Sequence, residues 1–166
     1  AIGGAVGNSI VDNSKLELAK EILDKAKDKG VKVILPVDNI GAKDFSENAE
    51  SKRFMSGFFG EDYQGMDIGP KTIKVFKRAI KKAKTIVWNG PLGVYEYDKF
   101  RKGTNKIAKY VAKSKAVSLI GGGDSIAAVQ NMGCAKRITH LSTGGGASLT
   151  LLQGKKLPCV EIIENV

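Results

Sequence analysis

Two glycine triplets mark the places where this chain could hold a charged group. Gly121, Gly122 and Gly123 follow the apolar run 117–120 and lead through Asp124 and Ser125 into a stretch of helical character. Gly144, Gly145 and Gly146 follow the run 138–141, after Ser142 and Thr143, and open a second such stretch. A glycine turn between a strand and a helix presents backbone N–H groups and the positive helix end together, and both attract an anion. Two of these turns on one sheet edge suit a ligand with more than one phosphate. Asp124 sits at the mouth of the first turn, where a lone carboxylate would repel phosphates unless a cation lay between them. Mg2+ takes one or two carboxylates and completes its shell with phosphate oxygens and water, which answers that repulsion. Two plainer readings stand beside this one: Asp124 caps its helix, and each triplet is only a tight connection. Neither triplet matches Gly-x-x-x-x-Gly-Lys-Ser/Thr or Gly-x-Gly-x-x-Gly, so the turns belong to another kind of phosphate loop.

Such turns need a sheet behind them, and the apolar pattern supplies one. Leu16, Ala19, Ile22, Leu23 and Ala26 recur at helical spacing over 14–29, with Asp12, Asn13 or Ser14 as N-cap and Gly30 as the stop. The β-branched run 31–35, ended by Pro36, reads as a buried strand, as do 85–88 and 117–120. Ile73, Phe76, Ile80 and Ala83 predict one intervening helix, and Ile107, Ala108, Val111 and Ala112 another. A last unit runs as helix over 125–132, strand over 138–141 and helix over 147–152. Alternation of helices with continuous apolar strands predicts an α/β fold, a parallel sheet with helices on both faces in three αβα layers. The stretch 38–65 mixes acids, phenylalanines and glycines without a period, and is expected to be an irregular excursion with edge structure.

At 166 residues, 42% apolar and 27% charged, the chain has the size and composition of one globular domain. No apolar run approaches the roughly 18 residues of a membrane span. Cys134 and Cys159 are too few for a disulfide scaffold and lack metal-site spacing, so a reducing, cytoplasmic setting is expected. The start, Ala1-Ile2-Gly3-Gly4, has neither Met nor a targeting region, and the chain is expected to be a piece of a longer protein. Lys and Arg total 27 against 17 acids, a net charge of +10 that favours anionic partners. Only Arg53, Arg78, Arg101 and Arg137 are arginines, which suits phosphate attraction better than base readout. Lys74, Lys77, Arg78 and Lys81 stand at helical spacing opposite Ile73, Phe76 and Ile80. A basic nucleic-acid-binding module is therefore an alternative, as is a purely structural isolated domain, although a charged face opposite an apolar one is usually only solvated.

Four segments carry a family resemblance: Ile68-Gly69-Pro70-Lys71-Thr72, the run from Thr85 through Trp88-Asn89-Gly90-Pro91-Leu92-Gly93 to Glu96, Ile120-Gly121-Gly122-Gly123-Asp124-Ser125, and Ser142-Thr143-Gly144-Gly145-Gly146-Ala147-Ser148-Leu149. In this order and spacing they resemble phosphoglycerate kinase, specifically its C-terminal, nucleotide-binding domain with a Rossmann-like parallel sheet. The resemblance covers residues 1–166 as a single domain. It implies that Asn89, Gly90, Pro91 and Leu92 line a nucleotide groove and that Glu96 accepts hydrogen bonds from the ribose. Gly122, Gly123 and Ser125 would lie against the phosphates of ATP or ADP, and Asp124 would bind the Mg2+. Gly144, Gly145 and Gly146 would open the helix aimed at the transferred phosphoryl group. The implied glycolytic reaction passes that group between ATP and 3-phosphoglycerate, with 1,3-bisphosphoglycerate and ADP on the other side.

The nucleophile is then a carboxylate, ionised at neutral pH, so no general base is needed. His140, the single histidine, is accordingly expected to be structural. The family's catalytic lysines and arginine-rich acceptor site come from upstream segments that these residues do not include, so the chain alone is expected to be inactive. The resemblance further implies a monomer in the cytoplasm that binds neither nucleic acid nor membrane.

Overall fold

The computed structural model describes residues 1–164 and divides them into two units. The first comprises Ala1–Arg78 and Leu92–Gly103, and the second Ala79–Pro91 with the chain from Thr104 onward.

In the first unit, Asp12 caps a short 3-10 turn (Asn13–Lys15) by accepting the Ser14 N–H at 3.0 Å. The turn runs into α1 (Leu16–Asp28), and Gly30 stops the helix at φ +64°. The predicted helix therefore stands, yet none of its residues is buried, and Leu18 and Ile22 are about half exposed.

The run 31–35, predicted as a buried strand, is neither: it has no ladder partner among the described residues. Val31, Val33 and Leu35 are 59%, 43% and 49% exposed. A β-branched apolar run sets a straight backbone, and that backbone has neither turn nor bend. A strand also needs a neighbour, which local pattern does not report.

The stretch 38–65 is more regular than its composition suggested. It forms β1 (Asp38–Ala42), β2 (Ser51–Met55) and the start of β3 (Gln64–Ile68), an antiparallel sheet in the order β2-β1-β3. Five-residue strands and a register shift between Ile40 and Gly41 hide the period of two. The phenylalanines are its packing: Phe54 stacks on Phe59 with ring centroids 5.1 Å apart and meets Tyr63 at 4.8 Å. Gly41 is required beneath them, because a Cβ there would stand 2.9 Å from Phe59 and 3.0 Å from Phe54. Ala42, Ala49, Met66 and Phe100 form the core of this unit, flanked by Ile40, Val94 and Tyr97.

Helix α2 (Pro70–Lys82) starts from a buried anchor. The Asp38 carboxylate accepts the N–H of Thr72 at 2.7 Å and of Lys71 at 3.1 Å, satisfying donors that the first helical turn leaves open. Pro70, at the first helical position, has no N–H to satisfy.

The second unit holds the predicted three-layer α/β arrangement, a parallel sheet flanked by helices. Its strands β4 (Thr85–Asn89), β5 (Val117–Gly121) and β6 (His140–Ser142) lie in that order. The helices are α3 (Lys102–Ala112, whose first two residues belong to the first unit), α4 (Gly123–Asn131), α5 (Gly145–Leu152) and α6 (Pro158–Glu164). Ile107, Ala108, Val111, Ile120, Ala128 and Val129 are its buried centre, with Trp88 beside them. The strand expected over 138–141 starts later, at His140, because a 3-10 turn occupies Ala135–Arg137. Thr139 instead exchanges side-chain bonds with Ser118: each backbone N–H donates to the other's hydroxyl, at 3.0 and 3.1 Å. Helix α6 had no counterpart in the sequence reading.

Candidate functional site

The parallel register sets three strand ends side by side, Asn89 beside Gly121 and Gly121 beside Ser142. Beyond them the chain turns into helices through the two glycine triplets. Gly122 caps α4 at φ +88°, which a Cβ would disfavour, and a Cβ there would also stand 2.9 Å from the Asn89 side-chain oxygen. A Cβ on Gly145 would meet the Gly122 nitrogen at 2.9 Å and lie 3.5 Å from the same Asn89 oxygen. Asn89, Gly122 and Gly145 are thus packed together, and two of the three are glycines because backbone meets backbone. The Gly122 N–H donates to the Ser142 carbonyl at 3.3 Å, tying the two turns to each other.

Two hydrogen bonds hold the β4 end. Ser125 is fully buried, and its hydroxyl accepts the Gly90 N–H at 2.7 Å. The Trp88 indole N–H donates to the Gly90 carbonyl at 2.6 Å. Ser125 therefore acts on the loop rather than facing open space. Under α5, the Ser142 and Ser148 hydroxyls pair at 2.9 Å, and the Ser148 N–H reaches the Gly144 carbonyl at 2.9 Å.

Gly123 and Gly146 differ from their neighbours, for a Cβ at either would meet nothing within 4 Å. No protein atom requires a glycine there, and the first turns of α4 and α5 are open. Asp124 is exposed in the first turn of α4, and the cap position belongs to Gly122, which makes no side-chain cap bond. The capping reading of Asp124 fails, leaving one solvent-facing carboxylate at a positive helix end. No group of three His, Cys, Asp or Glu side chains that could hold a metal occurs among the described residues. Asp124 thus fits a cation that draws most of its ligands from a bound phosphate and water, as Mg2+ does.

Asn89, Gly90, Pro91, Gly122, Gly123, Asp124, Ser125, Gly144, Gly145 and Gly146 all belong to the second unit, and Leu92 and Glu96 to the first. Glu96 is exposed in a turn closed by the Tyr97 N–H on the Val94 carbonyl at 3.2 Å. His140 is exposed at the start of β6, not enclosed in an apolar strand as its neighbours suggested. A cavity of about 290 Å3 lined by Leu151, Lys155, Lys156, Leu157 and Val160 involves none of the predicted residues.

The family model for phosphoglycerate kinase matches residues 1–155. The chain belongs to the phosphoglycerate kinase family. Relatives named phosphoglycerate kinase include those of Clostridium tetani, 49% identical over 99% of this chain, and Finegoldia magna, 51% identical over 98% of it. The chain spans 41% of the length of each. The solved phosphoglycerate kinase of Coxiella burnetii superposes on 96% of this chain and 41% of its own, with TM-score 0.91 at 39% identity. That of Pyrococcus horikoshii covers 91% of this chain and 36% of its own, with TM-score 0.76 at 36% identity.

Sequence reasoning missed two buried carboxylates. Asp38 is fully buried, accepts from Thr72, Lys71 and the Arg53 Nε (2.8 Å), and anchors α2. Asp67, 6% exposed, accepts the Gly103 N–H at 2.7 Å and so holds the start of α3. Neither had a local signal, because the helix starts that Asp38 and Asp67 hold lie 34 and 36 residues further along the chain.

Proposed function

We propose that the 166 residues together form the C-terminal, nucleotide-binding domain of a phosphoglycerate kinase, and that ATP or ADP binds across the open first turns of α4 and α5. The observation that carries this reading is the pairing of two glycines that have close protein neighbours, Gly122 and Gly145, with two that have none, Gly123 and Gly146. The first pair lets the turns approach each other. The second leaves backbone N–H groups uncovered, as phosphate oxygens require. Asn89, Gly90 and Pro91 form the adjoining wall.

Asp124 would hold Mg2+, which when bound neutralises phosphate charge. The chain's own part is positional. The N-terminal turns of α4 and α5 fix the nucleotide phosphates, and Gly144, Gly145 and Gly146 aim a helix end at the group in transfer. The acceptor, 3-phosphoglycerate, presents an ionised carboxylate and needs no proton removed, so orientation and positive potential carry the reaction. This chain supplies the nucleotide's side of that arrangement.

Isothermal titration of the chain with Mg-ADP tests the site. Saturable heat is expected, and a null titration at millimolar nucleotide would refute it. Asp124→Ala should remove the Mg2+ dependence of binding with little change in melting temperature, because its side chain is exposed and makes no hydrogen bond or ion pair to another described residue.

A further inference from the structure

We propose that Ser125 and Trp88 are positioning residues of the nucleotide site: between them they clamp the two peptide groups of Gly90 and so hold the Asn89 carboxamide between the glycine triplets. The inference rests on the nucleotide reading above and adds to it two side chains that act without touching the ligand. For the Ser125 side chain it replaces the phosphate contact that the resemblance implies. Every residue involved belongs to the second unit.

Gly90 turns the chain at φ +95°, and a Cβ there would meet nothing within 4 Å, so the backbone angle alone calls for glycine. An open glycine turn is the freest point of a backbone, yet both peptide groups here are tied. The N–H, on the Asn89 side, donates to the Ser125 hydroxyl at 2.7 Å. The carbonyl, on the Pro91 side, accepts the Trp88 indole N–H at 2.6 Å. Ser125 is fully buried and Trp88 is 9% exposed, so neither side chain is offered to a ligand in solution.

Asn89 is the residue these bonds fix. The parallel register pairs it with Gly121, and the Ser125 bond sets the direction of the peptide that follows it. Its side-chain oxygen lies 2.9 Å from the place of a Cβ on Gly122 and 3.5 Å from that of one on Gly145. The residue is exposed and so open to a ligand. Its amide N–H groups can donate to a phosphate oxygen, a bond that weakens steeply when misdirected. Releasing Gly90 therefore costs affinity through Asn89.

A double-mutant cycle on Mg-ADP affinity, read by isothermal titration of the chain, tests the proposal. Ser125→Ala and Trp88→Phe should each weaken binding by about 3-fold to 10-fold, the worth of one lost hydrogen bond. In an Asn89→Ala background the same changes should weaken it by less than about 2-fold, because the group they aim is gone. Ser125→Ala should also speed amide exchange at Gly90 while the rest of the β4–β5 ladder keeps its protection. No binding by the unaltered chain would refute the nucleotide reading and this inference with it. Binding by the chain, with losses from either variant that add to that of Asn89→Ala, would overturn the inference alone. A lowered melting temperature with unchanged affinity would also overturn it, since the clamp would then serve only the fold.

Discussion

Asp38 and Asp67 are both sealed from solvent in the first unit, yet their surroundings drive them in opposite directions. Burial would raise Asp38, but the bonds from Thr72, Lys71 and Arg53 outweigh it and hold the carboxyl below its ordinary value of 3.8. For Asp67 burial dominates: the Gly103 and Ile68 N–H groups and the Lys102 charge only partly offset it, and the carboxyl is pushed up to about 6. Between pH 3.8 and about 6 the folded chain therefore keeps a proton on Asp67 that the unfolded chain has lost, so stability falls as pH rises through this window. Asp38 acts in the other sense, since its contribution is complete above 3.8 and disappears as pH falls through its lower folded value. Stability should peak near pH 4 and decline by roughly 3 kcal/mol toward neutrality on account of Asp67. Denaturant titrations across pH check this, and Asp67→Asn should flatten the decline above pH 4. Neither role was legible from sequence, because an isolated aspartate looks the same in a strand whether water or a helix start receives it.

At the scale of elements, the two glycine triplets make a paired test. Gly145→Ala forces a methyl onto the Gly122 backbone and should cost about 1–3 kcal/mol in thermal or denaturant unfolding. Gly146→Ala meets no protein atom within a helix that alanine favours, so it should stabilise by up to about 1 kcal/mol while weakening nucleotide binding. Loss of binding with stability retained would separate a ligand's demand for glycine from the fold's. In the second unit α3, β5 and α4 were readable because each buries an apolar stripe or run that repeats locally. The run 31–35 was misread because apolar content says that a segment prefers cover, not that cover is present. Over 38–65 the error was opposite: short, bulged strands with aromatic packing fall below the length at which alternation shows.

For the molecule as a whole, the chain alone should not turn over 3-phosphoglycerate. Phosphoryl transfer depends on cations fixed around the equatorial oxygens, and losing a single donor of that kind costs about 100-fold to 1,000-fold in rate. A chain spanning 41% of its relatives' length carries one side of such a site in the reading above. A coupled assay with purified chain should stay at background, and adding the remaining portion of the Clostridium tetani relative as a separate polypeptide should restore turnover. The family itself was legible because its four glycine-rich segments are long and ordered. The division into two units was not, since its boundaries fall inside α2, between Pro91 and Leu92, and after the second residue of α3, where composition does not change.

Trp88 is the only tryptophan in the chain, and its indole is bonded to Gly90 one residue beyond Asn89, at the mouth of the proposed site. It is 9% exposed and lies in the second unit. Tryptophan emission is therefore a private optical channel for that unit, whereas circular dichroism sums the helices and strands of both. If the units melt together, the two signals trace one transition. If they do not, the emission curve isolates the nucleotide-side unit without a label, and a shift in it on adding Mg-ADP reads occupancy from the same indole.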